Sequence, residues 1–480
     1  MPDRRRTLLT FLVTSLALFM TSLDNLVVTT ALPVIHRDLN ASLQQLEWMV
    51  NAYTLTFAVL LLTGAALGDR FGRKRLFVIG IMVFTAGSAA AALAPTGDAL
   101  VIARAIQGLG AAIVTPLTLT LLSAAVPAER RGLALGLWGG ISGLAIAVGP
   151  LVGGAIVDGL DWHWIFWLNV PIGIAVIPLA LVSLRESHGP DGTLDIPGLA
   201  LVSGGLLALV WALIHGNADG WVSPQIVAAF VAAAVLLPLF LVRQVRAASP
   251  MLPLRFFRSR PFAVANAVSF LMSFGVFGSI FLLAQFFQLV QGYTPLEAGL
   301  RTLPWTGMPI IVAPIAGVLS DRIGGRPLLV AGMALMAGGL AWLAATGSTS
   351  VDYLVMVPGL VLAGVGMSLF FAPTANLVLS AVRPEEEGLA SGANNTIREV
   401  GGVFGVAILA SMFSANGGYA SPAAFVDGLV PAVWLGAAVV AVGAVVAMAI
   451  PGRRHPVISL ELPVRPSAGE PVFVRESTGR

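Results

Sequence analysis

Cysteine is absent from this chain of 480 residues, and lysine occurs once, at position 74. The lack of cysteine excludes disulfides, thiolate metal sites and cysteine nucleophiles. An ATP-binding phosphate loop ends in Gly-Lys-Ser or Gly-Lys-Thr, and Lys74 is followed by arginine, so this loop cannot form. Histidine and glutamate do not cluster as metal ligands, and no loop is long enough for a catalytic domain. We therefore expect no enzymatic activity, no cofactor, no metal and no bound ATP.

Charge is also scarce, at 11% of the residues, whereas 57% are hydrophobic and the mean hydropathy is +0.89. This composition lies outside the range of soluble globular proteins. Apolar runs of 18 residues or more recur along the chain, and each can cross a hydrocarbon core of roughly 30 Å as a helix. The runs do not alternate with polar residues, which excludes a β-barrel. The sequence therefore predicts an all-α membrane protein in contact with lipid.

Apolar length, flanking charge and Gly/Pro punctuation predict about fourteen transmembrane helices. Their approximate positions are 8–35, 47–68, 76–94, 98–126, 132–157, 164–184, 196–215, 224–242, 262–291, 297–319, 327–346, 352–381, 388–414 and 426–450. The first run contains Asp24 and continues to about Ile35, so it is interpreted as an uncleaved first span and not as a secretory signal.

The basic residues predict the orientation, because they fall almost entirely into alternate loops. One set of loops contains Arg4 to Arg6, Arg70, Arg73, Lys74, Arg75, Arg130, Arg131, Arg185, Arg243, Arg246, Arg255, Arg258, Arg260, Arg322, Arg326, Arg383, Arg453 and Arg454. The other set has little beyond Arg37 and Arg301. The positive-inside rule makes the first set cytoplasmic and places both termini inside a bacterial inner membrane. The net charge of +3 thus indicates topology and no nucleic-acid partner.

The chain also repeats itself. Gly68-Asp69-Arg70-Phe71-Gly72-Arg73 matches Ser320-Asp321-Arg322-Ile323-Gly324-Gly325-Arg326, and a second match relates residues 127–136 to 383–392 at nearly the same offset. Both copies fall on the same side, which predicts two parallel six-helix halves. We expect six-helix bundles at 1–190 and 251–452, two linker helices at 191–250, and a cytoplasmic, disordered tail at 453–480.

The segment Gly64-Ala-Ala-Leu-Gly-Asp-Arg-Phe-Gly-Arg-Lys-Arg75 resembles the signature loop of the major facilitator superfamily, and the resemblance covers essentially the whole chain. In that family the loop is thought to latch the cytosolic gate. Physically, Asp69 can cap a helix or pair with a cation. The alternative interpretation is a basic loop that only sets the orientation of the chain in the membrane. The gating residues implied by the resemblance are Gly68, Asp69, Arg70, Gly72 and Arg73, with Asp321 and Arg322 in the second copy.

A glycine-rich stretch in the fifth span carries the expectation of export. Gly149-Pro150-x-x-Gly153-Gly154 resembles the antiporter motif that marks exporters of the superfamily. Small residues also let any two helices approach closely, so ordinary helix packing is the alternative interpretation.

Three charged residues within spans are candidates for proton coupling: Asp24, Arg104 and Glu399. Depth along the helices places Asp24 roughly 14 Å and Arg104 roughly 9 Å from the outer face, so the two can pair. The segment around Asp24 resembles the first-helix motif of the fourteen-helix drug:proton antiporters, although a structural ion pair is the alternative. Glu399 could take up a proton, attract a cationic substrate or neutralise Arg398. Adjacent helical residues point about 100° apart, which argues against a simple mutual pair.

Polar and aromatic residues on several spans are candidates to line a central cavity. They are Asn51, Tyr53, Gln285, Gln288, Trp305, Asn376, Asn395 and Arg398. Each alone is better explained by packing or by hydrogen bonding between helices. Together they predict an amphiphilic site of low specificity.

We therefore expect a monomeric, proton-coupled transporter of the fourteen-helix drug:proton antiporter type, which exports small amphiphilic molecules by alternating access. Its partners would be a small-molecule substrate, protons and membrane lipid. The alternatives are a proton-coupled importer of a small nutrient or metabolite, and a polytopic membrane enzyme or sensor.

Overall fold

The described residues fold almost wholly as α-helices, and no β-strand occurs among them. This computed structural model describes residues 2–126, 141, 144–145, 148–188, 195–247, 250–383 and 386–451. The helices are α1 (Pro2–Leu39), α2 (Leu43–Phe71), α3 (Arg73–Ala92), α4 (Gly97–Ala125), α5 (Val148–Gly159), α6 (Trp164–Trp167), α7 (Asn169–Ser183), α8 (Ile196–Asp219), α9 (Pro224–Arg246), α10 (Arg260–Leu289), α11 (Pro295–Thr306), α12 (Met308–Ile323), α13 (Gly325–Thr346), α14 (Tyr353–Ser380), α15 (Glu387–Asn416) and α16 (Pro422–Ala447).

The predicted number of membrane spans agrees with the structure. Thirteen spans within the described residues are long and apolar enough to cross a membrane. The shorter α5 is the described part of the predicted fifth span, most of whose residues before 148 lie outside the described part of the chain. The predicted tail at 453–480 also lies outside it.

Two predicted spans are interrupted, and proline explains both interruptions. The predicted helix 164–184 is divided between α6 and α7, and the predicted helix 297–319 between α11 and α12. Pro171 and Pro309 follow these breaks. Because proline has no N–H, neither can bond the carbonyl four residues earlier, and the helix bends at that point.

The helices pack as two groups with a pair between them in sequence. In the first group α4 packs against α1, α2 and α3, and α7 packs against α1 and α3. In the second group α13 packs against α14 and α16, and α10 packs against α15 and α16. The two groups meet where α2 packs on α15 and where α1 packs on α10 and α11. The intervening hairpin of α8 and α9 covers one of these seams, because α8 contacts both α2 and α15.

The internal repeat has a structural counterpart in two turns. Gly72, between α2 and α3, has φ +105° and donates its N–H to Gly68 O at 3.0 Å. Gly324, between α12 and α13, has φ +85° and donates to Ser320 O at 2.9 Å. Positive φ favours glycine, so both copies of the motif need it at this position. Below, the side of the protein that carries these turns is called the basic face.

Candidate functional site

A buried ion pair joins α1 and α4. Asp24 and Arg104 are 2% and 0% exposed, and Arg104 Nη1 donates to the Asp24 carboxylate. Gln107 Nε2 and Asn169 Nδ2 also donate to Asp24, at 3.1 and 2.7 Å. Three donors from α4 and α7 therefore converge on one carboxylate. These hydrogen bonds tie α1 to α4 and α7.

Arg104 is held by the same network. Its Nε donates to the Met49 carbonyl at 3.0 Å, and its Nη1 also donates to Gln107 Oε1 at 2.9 Å. The guanidinium carbon lies 4.3 Å from the centroid of the Tyr53 ring, a cation–π contact. The structure thus brings together Asp24 and Arg104, as the depth argument expected. Their part in proton coupling stays a prediction.

Glu399 on α15 is also buried, at 4% exposed, but it has fewer partners. Its Oε1 accepts a hydrogen bond from Arg398 Nη2 at 3.1 Å, and its buried Oε2 has no hydrogen-bond partner in the described structure. The expectation that these neighbours do not pair was wrong. The Cβ atoms of adjacent helical residues point about 100° apart, but the long arginine side chain can fold back and reach the carboxylate of its neighbour.

Tyr53 on α2 lies beside the buried ion pair. Its hydroxyl donates to the Thr21 carbonyl at 2.9 Å, and its ring contacts Arg104. The helix that carries it, α2, belongs to the first group of helices and packs on α15 of the second group.

The predicted cavity residues are distributed over several environments. Asn51, Gln285 and Trp305 are buried, and Asn395 is half-buried. Gln288 Nε2 donates to the Thr30 carbonyl at 2.8 Å and so joins α10 to α1. The remaining predicted residue, on α14, is Asn376, whose Nδ2 lies 3.5 Å from Ser320 Oγ.

An enclosed cavity of about 10 Å³, enough for one water molecule, lies between α1, α5, α10, α11 and α14. Of the eight predicted cavity residues only Trp305 lines it, and four threonines also line it: Thr29, Thr30, Thr302 and Thr306. The Trp305 indole N–H has no hydrogen-bond partner in the part of the chain that the structure describes.

The Gly149–Gly154 motif forms a backbone contact between the two halves at the face opposite the basic face. A Cβ added to Gly154 would lie 2.2 Å from the Pro295 carbonyl oxygen. A Cβ added to Gly299 on α11 would lie 2.4 Å from the Pro150 carbonyl oxygen. The two backbones touch through reciprocal glycines, so α5 and α11 pack closely at this point.

The other two glycines and the proline of this motif also have defined places. Gly149 faces Leu26, and Gly153 faces Thr30, both on α1. Pro150 lines the small cavity. The motif therefore lets α5 approach α1 on one side and α11 on the other.

The signature loop is organised by two acids at the basic face. Asp69 accepts a hydrogen bond from Arg73 Nε at 2.7 Å, so of the two predicted roles it pairs with a cation. The helix cap is instead Glu186, whose carboxylate accepts the backbone N–H groups of Lys74 and Arg75 at 2.9 and 3.2 Å. Sequence reasoning missed Glu186, because it lies 117 positions after Asp69 in a loop with no motif.

The remaining gating residues also lie at the basic face. Arg70 is exposed and lies over the Phe71 ring at 5.4 Å from its centroid, and Gly68 is buried. Arg322 is exposed. The side chain of Asp321 lies outside the described part of the structure.

Comparison with known proteins gives a match along nearly the whole chain. The family model described as the Major Facilitator Superfamily matches residues 14–406 and 302–470. The tetracenomycin C resistance and export protein of Streptomyces glaucescens is 34% identical over 426 residues, which cover 88% of this chain and 79% of that protein. The multidrug resistance protein Stp of Mycobacterium tuberculosis (strain CDC 1551 / Oshkosh) is 39% identical over 413 residues, covering 86% of this chain and 76% of that protein.

Solved structures show the same fold at low sequence identity. A bacterial homologue of the human lysosomal transporter Spinster, in an inward-facing and unoccupied conformation, has a TM-score of 0.65 at 16% identity and covers 92% of this chain and 96% of that one. A D-xylose–proton symporter has a TM-score of 0.65 at 15% identity, with 92% and 97% covered.

Proposed function

This chain belongs to the major facilitator superfamily, and we propose that it exports drugs or other small amphiphilic molecules in exchange for protons, as a monomer. Transporters of this family handle small-molecule substrates, and this member is a multi-pass protein of the bacterial inner membrane. Relatives 34% and 39% identical are named for export and multidrug resistance. The observation that carries export is the glycine contact of α5 with α11, built from the motif that resembles the antiporter signature.

The direction of transport follows from assigning the two faces. By the positive-inside rule, we assign the basic face with its arginine-rich loops to the cytoplasm. The contact between Gly154 and Pro295 would then lie at the outer face and help to close it. We assign the halves to 1–190 and 251–452, with 191–250 as the linker, and alternating access would separate α5 from α11 as substrate leaves.

Asp24 and Glu399 are both buried acids, and we assign the proton to Glu399. Asp24 already has three side-chain donors, so protonation would break several hydrogen bonds at once. Glu399 has one donor, Arg398, and a free Oε2 that can hold a proton without displacing any group. Protonation of Glu399 would release Arg398, whose side chain is 29% exposed and can meet an electron-rich substrate. One proton moving inward supplies about 2.3 kcal/mol per 100 mV.

The test is efflux of ethidium and of tetracenomycin C from cells that express the chain, with and without a protonophore. We expect protonophore-sensitive efflux above the vector control. Glu399→Gln should abolish the dependence of efflux on the proton gradient, and Glu399→Asp should keep it. Glu387→Gln, an exposed acid at the basic end of the same helix, is the matched control.

Two results would contradict different parts of this proposal. If neither ethidium nor tetracenomycin C leaves these cells faster than it leaves vector cells, and both instead accumulate inside, the proposal of export is wrong and import is favoured. If Glu399→Gln exports with unchanged dependence on the proton gradient, the proton is carried elsewhere.

A further inference from the structure

The linker hairpin of α8 and α9 has no part in the transport scheme above, yet it touches both halves of the protein. α8 contacts α2 of the first group of helices and α15 of the second. The three helices share one apolar cluster, which contains Leu55 and Val59 of α2, Leu206, Val210 and Ile214 of α8, and Val403 and Ala407 of α15. When the halves move, the hairpin must stay with one of them and exchange its contacts with the other.

At its outer end the hairpin is joined to the second half by one side-chain amide. Asn217 lies in the last turn of α8, and its Nδ2 is 2.5 Å from the Ser411 carbonyl oxygen and 2.7 Å from Ser414 Oγ, both on α15. The Asn217 Oδ1 accepts the indole N–H of Trp221 at 2.9 Å. Both hydrogens and the oxygen of the amide are thus engaged, which fixes its orientation. The joint is therefore directional, and its partners outside the hairpin lie on α15.

At the basic face the hairpin is joined to the second half again. Gln244, buried near the end of α9, accepts the backbone N–H of Leu252 at 3.0 Å, and Leu252 packs on a cluster of α10, α14 and α15. Gln244 Nε2 donates to Asp195 at 2.7 Å, and Arg243 Nε donates to the same carboxylate at 2.9 Å. Asp195 also caps α8 by accepting the Gly198 N–H. These bonds tie α8, α9 and the start of the second half together.

The contact of the hairpin with the first half is of a different kind. In the part of the chain that the structure describes, the hydrogen bonds that leave the hairpin lead to the second half. Leu55 and Val59 of α2 meet α8 through apolar side chains. Beside this contact an open apolar groove of about 480 Å³ lies between α2, α4 and α8, and α8 contributes Leu207 to its lining. The hairpin thus leaves part of the first half's surface unfilled.

The membrane environment decides which of the two contacts gives way. Lipid tails are as apolar as leucine, so an apolar contact between helices can be exchanged for lipid at little cost. An amide that loses its partners inside the membrane finds no water to replace them, and leaving it unsatisfied costs free energy. When the halves separate, the polar joints at Asn217 and Gln244 should therefore hold, and the apolar contact with α2 should change.

We propose that the hairpin of α8 and α9 moves with the second half and slides over α2, as a seal that keeps lipid out of the seam between α2 and α15. Asn217 is the positioning residue of this sliding seal at the outer end, and Gln244 at the basic face. The sliding seal rests on the proposed function only in requiring that the two halves separate at the outer face. It is independent of which molecule is exported.

The absence of cysteine allows spin labels to be attached to pairs of engineered thiols. Three exposed positions report on the first half, the hairpin and the second half: Leu93→Cys after α3, Val222→Cys between α8 and α9, and Ser350→Cys between α13 and α14. Pulsed electron paramagnetic resonance gives the distance for each pair in lipid nanodiscs. Gly154→Trp opens the outer face, because even a Cβ at this position would lie 2.2 Å from the Pro295 carbonyl oxygen.

We expect Gly154→Trp to lengthen the distance between positions 93 and 350 by roughly 5 Å, about one helical turn. The distance between 222 and 93 should change by a similar amount, whereas the distance between 222 and 350 should change by less than about 2 Å. Asn217→Leu removes the outer joint and should broaden the distribution of the 222–350 distance. The matched control His215→Leu should leave that distribution narrow, because the His215 contact with the Trp211 carbonyl stays within α8.

Three outcomes would overturn the sliding seal. The first is a 222–350 distance that changes as much as the 222–93 distance or more. The second is a 93–350 distance that is the same in the parent and in Gly154→Trp, because the seal requires the halves to separate. The third is a 222–350 distribution in Asn217→Leu as narrow as in the parent. Distances that follow the expected pattern in a protein without ethidium or tetracenomycin C efflux would count against the proposed function and would support the seal.

Discussion

Neutralising Asp24 should destabilise the protein strongly, because its partner Arg104 would remain buried without a counter-charge. Arg104 is 0% exposed and Asp24 2%, so no side-chain movement short of opening the bundle hydrates the guanidinium. Removing one member of a buried pair typically costs about 3–5 kcal/mol. We expect Asp24→Asn to lower the midpoint of thermal unfolding in detergent by roughly 5 °C, measured by tryptophan fluorescence.

The double variant Asp24→Asn/Arg104→Gln separates a structural pair from a proton carrier. With both charges removed, most of the lost stability should return, and the interaction energy in the double-mutant cycle should exceed about 2 kcal/mol. The double variant should also keep proton-dependent efflux, because the proton is assigned to Glu399. A single variant that loses less than about 1 kcal/mol, or strictly additive effects, would refute the reasoning.

Two further predictions concern helix contacts. A methyl group added at Gly299 or at Gly154 would lie within 2.4 Å of a backbone carbonyl oxygen. We therefore expect Gly299→Ala and Gly154→Ala each to lower export at least about tenfold. The control Gly338→Ala meets open space and should export normally. Normal export by Gly299→Ala would mean that α5 and α11 do not touch. Burial raises the pKa of the Asp195 carboxyl, but hydrogen bonds, above all that from Arg243, lower it, and the net pKa lies below the ordinary value of 3.8. The stabilising contribution of Asp195 is therefore present above pH 3.8 and is lost as the pH falls through the lowered pKa. Asp195→Asn should therefore cost about 1 kcal/mol in thermal unfolding at pH 7, and a cost that persists undiminished at pH 2 would contradict this account.

The pairing of Asp24 with Arg104 could be anticipated because helices rise by a fixed distance per residue. Counting residues from the ends of two spans gives the depth of each side chain, and both fell in the same layer of the membrane. The count does not give the rotation of a helix about its axis. For that reason the sequence does not identify Gln107 and Asn169, which complete the site.

Glu47 illustrates a stronger limit on what the sequence can reveal. An acid one turn inside a span is an ordinary feature of a helix end, and nothing near it in sequence is unusual. Glu47 is 2% exposed because α2 packs against helices that are distant in sequence, among them α15 of the second group. Only the packing of α2 against the second half makes the position exceptional. The same is true of Glu186, which caps α3 from a distant loop.

Asp24, Glu47 and Glu399, the buried acids within the membrane spans, differ in how many donors they receive. Asp24 receives three side-chain donors, Glu399 receives one, and Glu47 receives none among the described residues. A carboxylate with several fixed donors loses several hydrogen bonds when a proton binds, so such a site is suited to holding helices together. An acid with one donor loses less, and on this ground we assign the proton to Glu399 and not to Asp24.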